Sequence, residues 1–402
     1  MRRKDFAEDS PGELLQVDSE GFAFLPNMLP PGLDWGKLVM ALSEAERAVG
    51  ELNGIGRCLP NPYLFTRPFL NREAVLSSRI EGTQASLTDL YALEAQTPLF
   101  EVEERREDVQ EVQNYVYALE HGLKSDLPIS ARLLREMHKV LMTDVRGRNR
   151  APGEFRTIQN WIGPAGATRR DATYVPPPPG DTLNRAVNDL ERFIHNDNDM
   201  PALVEIALVH YQFEAIHPFL DGNGRIGRLL ISLLFIQCGL LSEPLLYLSA
   251  YFERHRAAYY DHLLAISQRG TWEDWLTFFL RGVAQEANDA ARRAQLLFDQ
   301  HEAWRQQYQR ENASANLLAT LDQLIARPVT TARRTEEALQ VTNRSAQKII
   351  DRLEQGGVLT EMTGRARNRV YFAQRVLEII DLPLDELGDP GEVQGPNIET
   401  GF

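Results

Sequence analysis

The chemistry of this chain is concentrated in twelve consecutive residues: His217-Pro218-Phe219-Leu220-Asp221-Gly222-Asn223-Gly224-Arg225-Ile226-Gly227-Arg228. They set a base, a carboxylate, a glycine-rich turn and two arginines side by side. A Gly-Asn-Gly turn that opens a helix leaves backbone N–H groups without intrahelical acceptors, and those groups form a nest for an anion. Arg225 and Arg228 stand three apart and reach the same end of that helix. Asp221 offers a hard oxygen of the kind a phosphate-bound Mg2+ takes. His217, just before the turn, is a general base for neutral pH. Each piece alone usually serves structure: a satisfied histidine, an ordinary turn, a solvated pair of arginines. Together at this spacing they fit phosphoryl or nucleotidyl transfer.

Such a turn needs rigid elements around it. An apolar run, Leu229 to Ile236, follows at once and reads as a buried helix. A helical pattern from Ala202 to Ala215 leads straight into His217 and sets Gln212 on the pocket wall one turn earlier. Further helical patterns cover 38–52, 69–80, 109–123, 130–143, 181–195, 224–237 and 256–267, and a long one runs over 272–309. Residues up to Pro31 read as irregular. Short connections between amphipathic helices favour an all-α bundle.

The twelve residues match, without a departure, the signature His-Pro-Phe-x-Asp-Gly-Asn-Gly-Arg-x-x-Arg, and the chain resembles the Fic (Fido) family. The resemblance implies a mostly α, Fic-type helical core with a β-hairpin flap, and transfer of AMP from ATP to a Ser, Thr or Tyr hydroxyl of a target protein. By that resemblance His217 is the catalytic base and Asp221 holds Mg2+ against the α- and β-phosphates. Gly222, Asn223 and Gly224 cradle the phosphates with Arg225 assisting, and Arg228 pairs with the γ-phosphate. In-line attack on the α-phosphorus would expel pyrophosphate, with positioning and charge supplying most of the rate. Pro218, Phe219 and Leu220 belong to the same ATP-binding stretch. Tyr247-Leu248-Ser249, Arg254 and Tyr259-Tyr260 occupy the region that closes over the base in such proteins, and Gln212, Arg254 and Tyr260 are carried as nucleotide contacts.

Two further strings extend the resemblance. Ser77-Ser78-Arg79-Ile80-Glu81-Gly82 matches the (Ser/Thr)-x-x-x-Glu-(Gly/Asn) inhibitory motif, with Gly82 closing a helix. Ser77 and Glu81 are spaced i, i+4 and face the same way. The motif implies a bidentate pair between Glu81 and Arg228 that takes the arginine from the γ-phosphate. The run Gly153 to Gly163 followed by Tyr174-Val175 and the prolines 176–179 reads as a β-hairpin. In the family such a flap holds an extended target segment by strand addition.

Composition sets the frame. The chain has 402 residues, enough for two or three domains, and a net charge of −14 that argues against general adhesion to nucleic acid. Two cysteines, Cys58 and Cys238, make no disulfide framework; Cys238 falls in a helix expected to be buried, and free thiols suit a reducing cytosol. No apolar leader follows Met1 and no stretch reaches membrane-spanning length, so the expectation is a cytoplasmic protein without a membrane partner. From Leu317 to Arg375 ten Lys/Arg stand against six Asp/Glu, and the helix, helix and paired-strand pattern is that of a winged helix-turn-helix. Arg344 and Lys348 lie on its recognition helix, and Arg365 and Arg367 lie in the wing.

The expected organisation is a helical region over 1–125 carrying the inhibitory motif, a catalytic core over 126–285, a linker helix over 286–316, a winged helix domain over 317–376 and an acidic disordered tail over 377–402. The expected partners are ATP, a protein target, the chain itself as an acceptor, a second copy in a homodimer, and DNA through the winged helix. Three alternatives stand beside AMP transfer: AMP removal with Glu81 orienting water, transfer of another phosphate-linked group, and a DNA-binding regulator that uses the core as a nucleotide sensor. The intact His217 favours an enzyme, since a sensor needs the nest and the arginines but no base.

Overall fold

The computed structural model describes residues 1–18, 21–95, 106–145, 150–164, 171–364, 367–383 and 386. It begins with a hairpin of β1 (Gly12–Asp18) and β2 (Gly21–Pro26). Helices follow: α1 (Trp35–Cys58), α2 (Pro62–Ile80), α3 (Leu87–Glu94), α4 (Arg106–Lys124), α5 (Ala131–Leu141), α6 (Asp181–His195), α7 (Ala202–Ile216), α8 (Asn223–Gln237), α9 (Ser249–Arg254), α10 (Arg256–Arg269) and α11 (Trp272–Arg310). The C-terminal part comprises α12 (Ala315–Ala326), β3 (Val329–Thr330), α13 (Ala332–Leu339), α14 (Asn343–Gln355), β4 (Thr360–Glu361), β5 (Tyr371–Phe372) and α15 (Gln374–Asp381). The three short strands form one antiparallel sheet in the order β3-β5-β4, the wing expected beside the helix-turn-helix. No helix among the described residues is long and apolar enough to cross a membrane.

Burial explains the layout. On α8 the side chains of Leu229, Leu230, Ile231, Leu233, Leu234 and Phe235 are all buried, each contributing roughly 1.5–3 kcal/mol. That anchors the helix and fixes its polar N-terminus. α7, buried along nearly its whole length, runs against α8. On α1, Ala41, Ala45 and Ala48 lie on the buried face and let α11 pack closely along it. α2 is buried on several sides, with Arg67, Asn71, Glu73, Ser77 and Ser78 among its interior residues. It touches α4, α9, α12 and α15, so the helix that leads to Glu81 is shared between the core and the C-terminal module.

Several expectations are corrected. The N-terminus is not irregular: β2 joins the core through the Phe24 N–H, which donates to the Val175 carbonyl at 2.9 Å. Phe24 also packs on Phe6 and Tyr174. The flap is not a ladder; among the described residues its two arms meet at one bridge, Ile162 with Tyr174. The long helix expected over 272–309 is α11, and the linker expected over 286–316 divides between the end of α11 and the start of α12. The acidic tail does not begin at 377: Val376, Leu377, Ile379 and Ile380 bury one face of α15. Arg293 of α11 donates to the carbonyls of Ile380 and Leu382 at 3.1 and 2.9 Å and so caps that helix. Cys238 is exposed, because α8 ends just before it. Arg365 lies outside the described residues, as does the rest of the tail beyond 386.

Candidate active site

His217 is the residue on which α7 stops. It takes the left-handed conformation, φ 49° and ψ 60°, and its N–H still donates to Phe213. Nδ1 lies 3.3 Å from the Glu214 carbonyl. A carbonyl only accepts, so Nδ1 carries the proton and Nε2 keeps its lone pair. Burial, with Arg156's charge behind it, pushes the imidazole down to about 4. Near neutral pH it is therefore an unprotonated base.

The carbonyls at the end of α7 are collected by Arg156, a buried arginine from the flap. Its Nε donates to the His217 carbonyl at 2.9 Å and its Nη2 to those of Pro177 and Ile216. Its own N–H donates to the Pro218 carbonyl at 2.9 Å. Asn160 adds a bond to the Phe219 carbonyl at 3.0 Å. The flap is held to the loop by the Arg156 and Asn160 side chains and one main-chain bond rather than by a strand ladder.

The signature loop is closed by its own asparagine. Asn223 Oδ1 accepts the Phe219 N–H and Nδ2 donates to the Phe219 carbonyl, both at 2.8 Å. Its side chain thus shapes the cradle, and the helix N-terminus behind it supplies the free N–H groups. Phe219 is fully buried and is an anchor. Asp221 is half exposed, with Oδ1 accepting the Gly222 N–H at 2.7 Å. One such carboxylate beside a phosphate cradle fits a Mg2+ that arrives on a nucleotide; no cluster of three metal-ligating side chains exists among the described residues. Arg225 lies 3.7 Å from both Asp221 and Glu111. Its Nε and Nη1 are buried without a hydrogen-bond partner, an arrangement an anion would complete.

Arg228 meets Ser77 and Glu81 at the end of α2. Its Nε donates to Ser77 Oγ at 2.8 Å, and its Nη2 to the Ser77 carbonyl at 3.0 Å and to Glu81 Oε1 at 2.7 Å. The pair with Glu81 is not bidentate. The Glu81 N–H bonds to Ser78, one residue short of the α-helical acceptor, which leaves the Ser77 carbonyl for the arginine. Gly82 at φ 99° and Thr83 close the helix end, their N–H groups bonding to Arg79 and Ser78 as in a Schellman motif. Burial raises the Glu81 carboxyl, but Arg228's charge and hydrogen bond outweigh it and hold the group below its ordinary range. Gly224 makes the approach feasible: a Cβ there would stand 2.3 Å from Glu81 Oε1.

Other expected contacts go elsewhere. Gln212 donates to the Asn27 carbonyl at 2.9 Å. Arg254 is paired with the buried Glu286. Tyr259 is core, its hydroxyl 2.8 Å from His210. Tyr260 is half exposed and raised by burial and by Glu81, which places it at the rim of the Glu81–Arg228 pair. Three residues near the loop escape a sequence reading: Arg156, His138 and Glu214. Glu214 packs against Gly227, its Oε1 buried without a partner, and burial pushes its carboxyl up to about 8. No local pattern marks these three, because their partners are remote in sequence.

Residues 39–124 match the Fic/DOC family N-terminal domain, residues 128–235 the Fic/DOC family domain, and residues 317–371 an HTH DNA binding domain. The protein adenylyltransferase Fic of Drosophila grimshawi is 28% identical over 159 residues, which cover 39% of this chain and 29% of that protein. That of Drosophila ananassae is 31% identical over 159 residues, covering 39% and 28%. The matched region thus spans less than a third of the length of these relatives. Among solved structures, a Fic family protein from Desulfovibrio desulfuricans superposes with a TM-score of 0.55 at 20% identity, over 86% of this chain and 98% of that one. Fic-1 from C. elegans superposes with a TM-score of 0.50 at 24% identity, over 64% and 73%.

Proposed function

The chain carries the Fic/DOC family N-terminal and Fic/DOC family domains, and on that premise we propose that it is a protein adenylyltransferase held in check by Glu81. The observation that carries the reading is His217: an unprotonated imidazole with Nε2 free, set directly before a helix N-terminus flanked by two buried arginines. Nε2 takes the proton of a Ser, Thr or Tyr hydroxyl as its oxygen attacks the α-phosphorus of ATP. The bond to the bridging oxygen breaks and pyrophosphate leaves. Asp221 would hold the Mg2+ that arrives with the nucleotide, which neutralises phosphate charge when bound. Arg225, with its unmatched buried N–H groups, faces the same charge. Arg228 can serve the γ-phosphate only by giving up Glu81 and Ser77. Incubating the full chain with α-labelled ATP and Mg2+ tests this: label should pass to protein in wild type and be lost in His217→Ala. Equal labelling by both would remove His217 from its role.

The C-terminal module favours DNA as a second partner. Arg344 and Lys348 are exposed on α14, and the groove beside it is lined by Arg333, Arg334, Arg367 and Arg369 against the carboxylates Glu94, Glu337 and Asp351. Cations and amides on a recognition helix and a wing are placed to meet phosphates.

A further inference from the structure

The peptide unit between Asp221 and Gly222 is the weak joint of the loop. Gly222 has φ 73°, and a unit that ends in glycine rotates at little cost. The Asp221 carboxylate would swing with it. One end is tied locally, since the Gly222 N–H donates to Asp221 Oδ1 at 2.7 Å. The other end, the Asp221 carbonyl, is tied by a residue outside the signature: Nε2 of His138 on α5 lies 3.0 Å away.

His138 is fully buried, and its protonation follows from its partners. The Gly153 N–H lies 2.9 Å from Nδ1. A main-chain N–H only donates and a carbonyl only accepts, so Nδ1 is the acceptor and Nε2 carries the proton. Both contacts fix one neutral tautomer. The ring also stacks on Phe219, centroids 3.9 Å apart and planes 5° from parallel. Gly153 is gripped on its other side as well, its carbonyl accepting from Arg135 Nε at 2.8 Å. Gly153 stands three residues before Arg156, the arginine that binds the His217 carbonyl. A single imidazole thus joins the foot of the flap to Phe219 and Asp221 of the loop.

We propose that His138 is a positioning residue: its Nε2–H locks the 221–222 peptide and thereby aims the Asp221 carboxylate at the metal-phosphate position. The Nδ1 contact with Gly153 sets the tautomer and holds the ring in place. This assignment rests on the nucleotide-transfer reading. Two substitutions separate the ring's two bonds. His138→Gln can present an amide N–H near the Nε2 position but no acceptor for Gly153. His138→Asn can accept from Gly153 but falls short of Asp221.

The test is made on the full chain with Glu81→Gly in every arm, so that Arg228 is free. It reads ATP binding by calorimetry across a Mg2+ titration, ATP binding in chelator, and the melting temperature. Replacing a group that orients a metal ligand typically weakens metal affinity 10–100-fold. His138→Asn should therefore raise the Mg2+ needed for half-maximal binding by about tenfold or more, and His138→Gln should recover most of it. Binding in chelator should not change between them. Equal Mg2+ requirement in His138→Asn and in the unsubstituted His138 arm would overturn the assignment. So would equal loss in both variants in step with melting temperature, which is the pattern of a merely structural histidine. If the His138 arm itself binds no nucleotide at any Mg2+ concentration, the nucleotide-transfer reading falls, and this assignment with it.

Discussion

The arginines of the core and those of the winged helix are the same residue type in opposite surroundings. Arg228 and Arg156 are each 2% exposed and Arg225 is 5% exposed. Arg333 on α13 is 79% exposed at its side chain, and Arg344, Lys348 and Arg367 are exposed as well. A buried guanidinium gains from a few directed bonds and is poorly screened, so loss of one partner is felt in full. A solvated one contributes through counterion release, in small increments that salt erodes. The core should therefore respond to single substitutions steeply and with little dependence on salt. The winged helix should respond gradually and with strong dependence on salt.

The steepest response belongs to the base. His217→Ala should lower AMP transfer 10²–10⁴-fold, while ATP binding measured by calorimetry stays close to wild type, because the arginines and the helix N-terminus remain. The same residue sets the pH profile. With the imidazole pushed down to about 4, the free-base form prevails across the neutral range. Protonation removes the base as pH falls through that value, so transfer should be flat from roughly pH 6 to 8 and drop about tenfold per unit below about 4. A rate that halves near pH 6.5, the ordinary imidazole value, would show that the burial of His217 does not persist in the complex.

Next in size is the Glu81–Arg228 pair. Arg228 is buried, but the Glu81 carboxylate is 36% exposed at its side chain, so screening trims the interaction. A charge-assisted bond of about 1.5–3 kcal/mol, discounted this way, gives roughly a tenfold gain in AMP transfer for Glu81→Gly, and a hundredfold at most. Adding Arg228→Ala should cancel the gain, because the guanidinium that Glu81 releases is then gone. Unchanged or lower transfer by Glu81→Gly would count against inhibition. Loss of AMP removal in the same variant would turn the reading toward the reverse reaction.

How much of this was legible in the sequence follows the reach of each interaction. α6 begins and ends where apolar periodicity places it, and α13 and α14 follow their threonine caps at Thr331 and Thr342. The signature and Ser77-x-x-x-Glu81 were legible because each is a compact string whose geometry a helix dictates. α3 was missed although Ser86 and Asp89 form a capping box, since only eight residues follow and their periodicity is faint. β1 and β2 pair with each other, yet the bond that ties β2 to the core reaches Val175, far along the chain, and no local string announces it. The alternation of the flap predicts a hairpin, yet Arg156, Gln159 and Asn160 tie it by bonding to the carbonyls of Ile216, His217, Pro176, Pro177 and Phe219. The single oxygen that Glu81 offers Arg228 was beyond a string as well; it depends on how α2 frays at Ser78.

The smallest effect, and the sharpest check on the contrast, lies on α14. If Arg344 and Lys348 each meet one phosphate, removing either should weaken duplex DNA binding several-fold across all sequences and reduce the slope of log affinity against log salt by about one. The measurement is a gel-shift titration of the full chain and its Arg344→Ala and Lys348→Ala variants between roughly 50 and 200 mM salt. Neither residue touches the catalytic loop, so AMP transfer by the same preparations should stay at the wild-type level. Two results would dissolve the distinction between the regions. One is DNA affinity indifferent to salt, which would mean that α14 binds by directed contacts as the core does. The other is a change in AMP transfer on Arg344→Ala, which would mean that the module reaches the site through α2, on which α12 and α15 both rest.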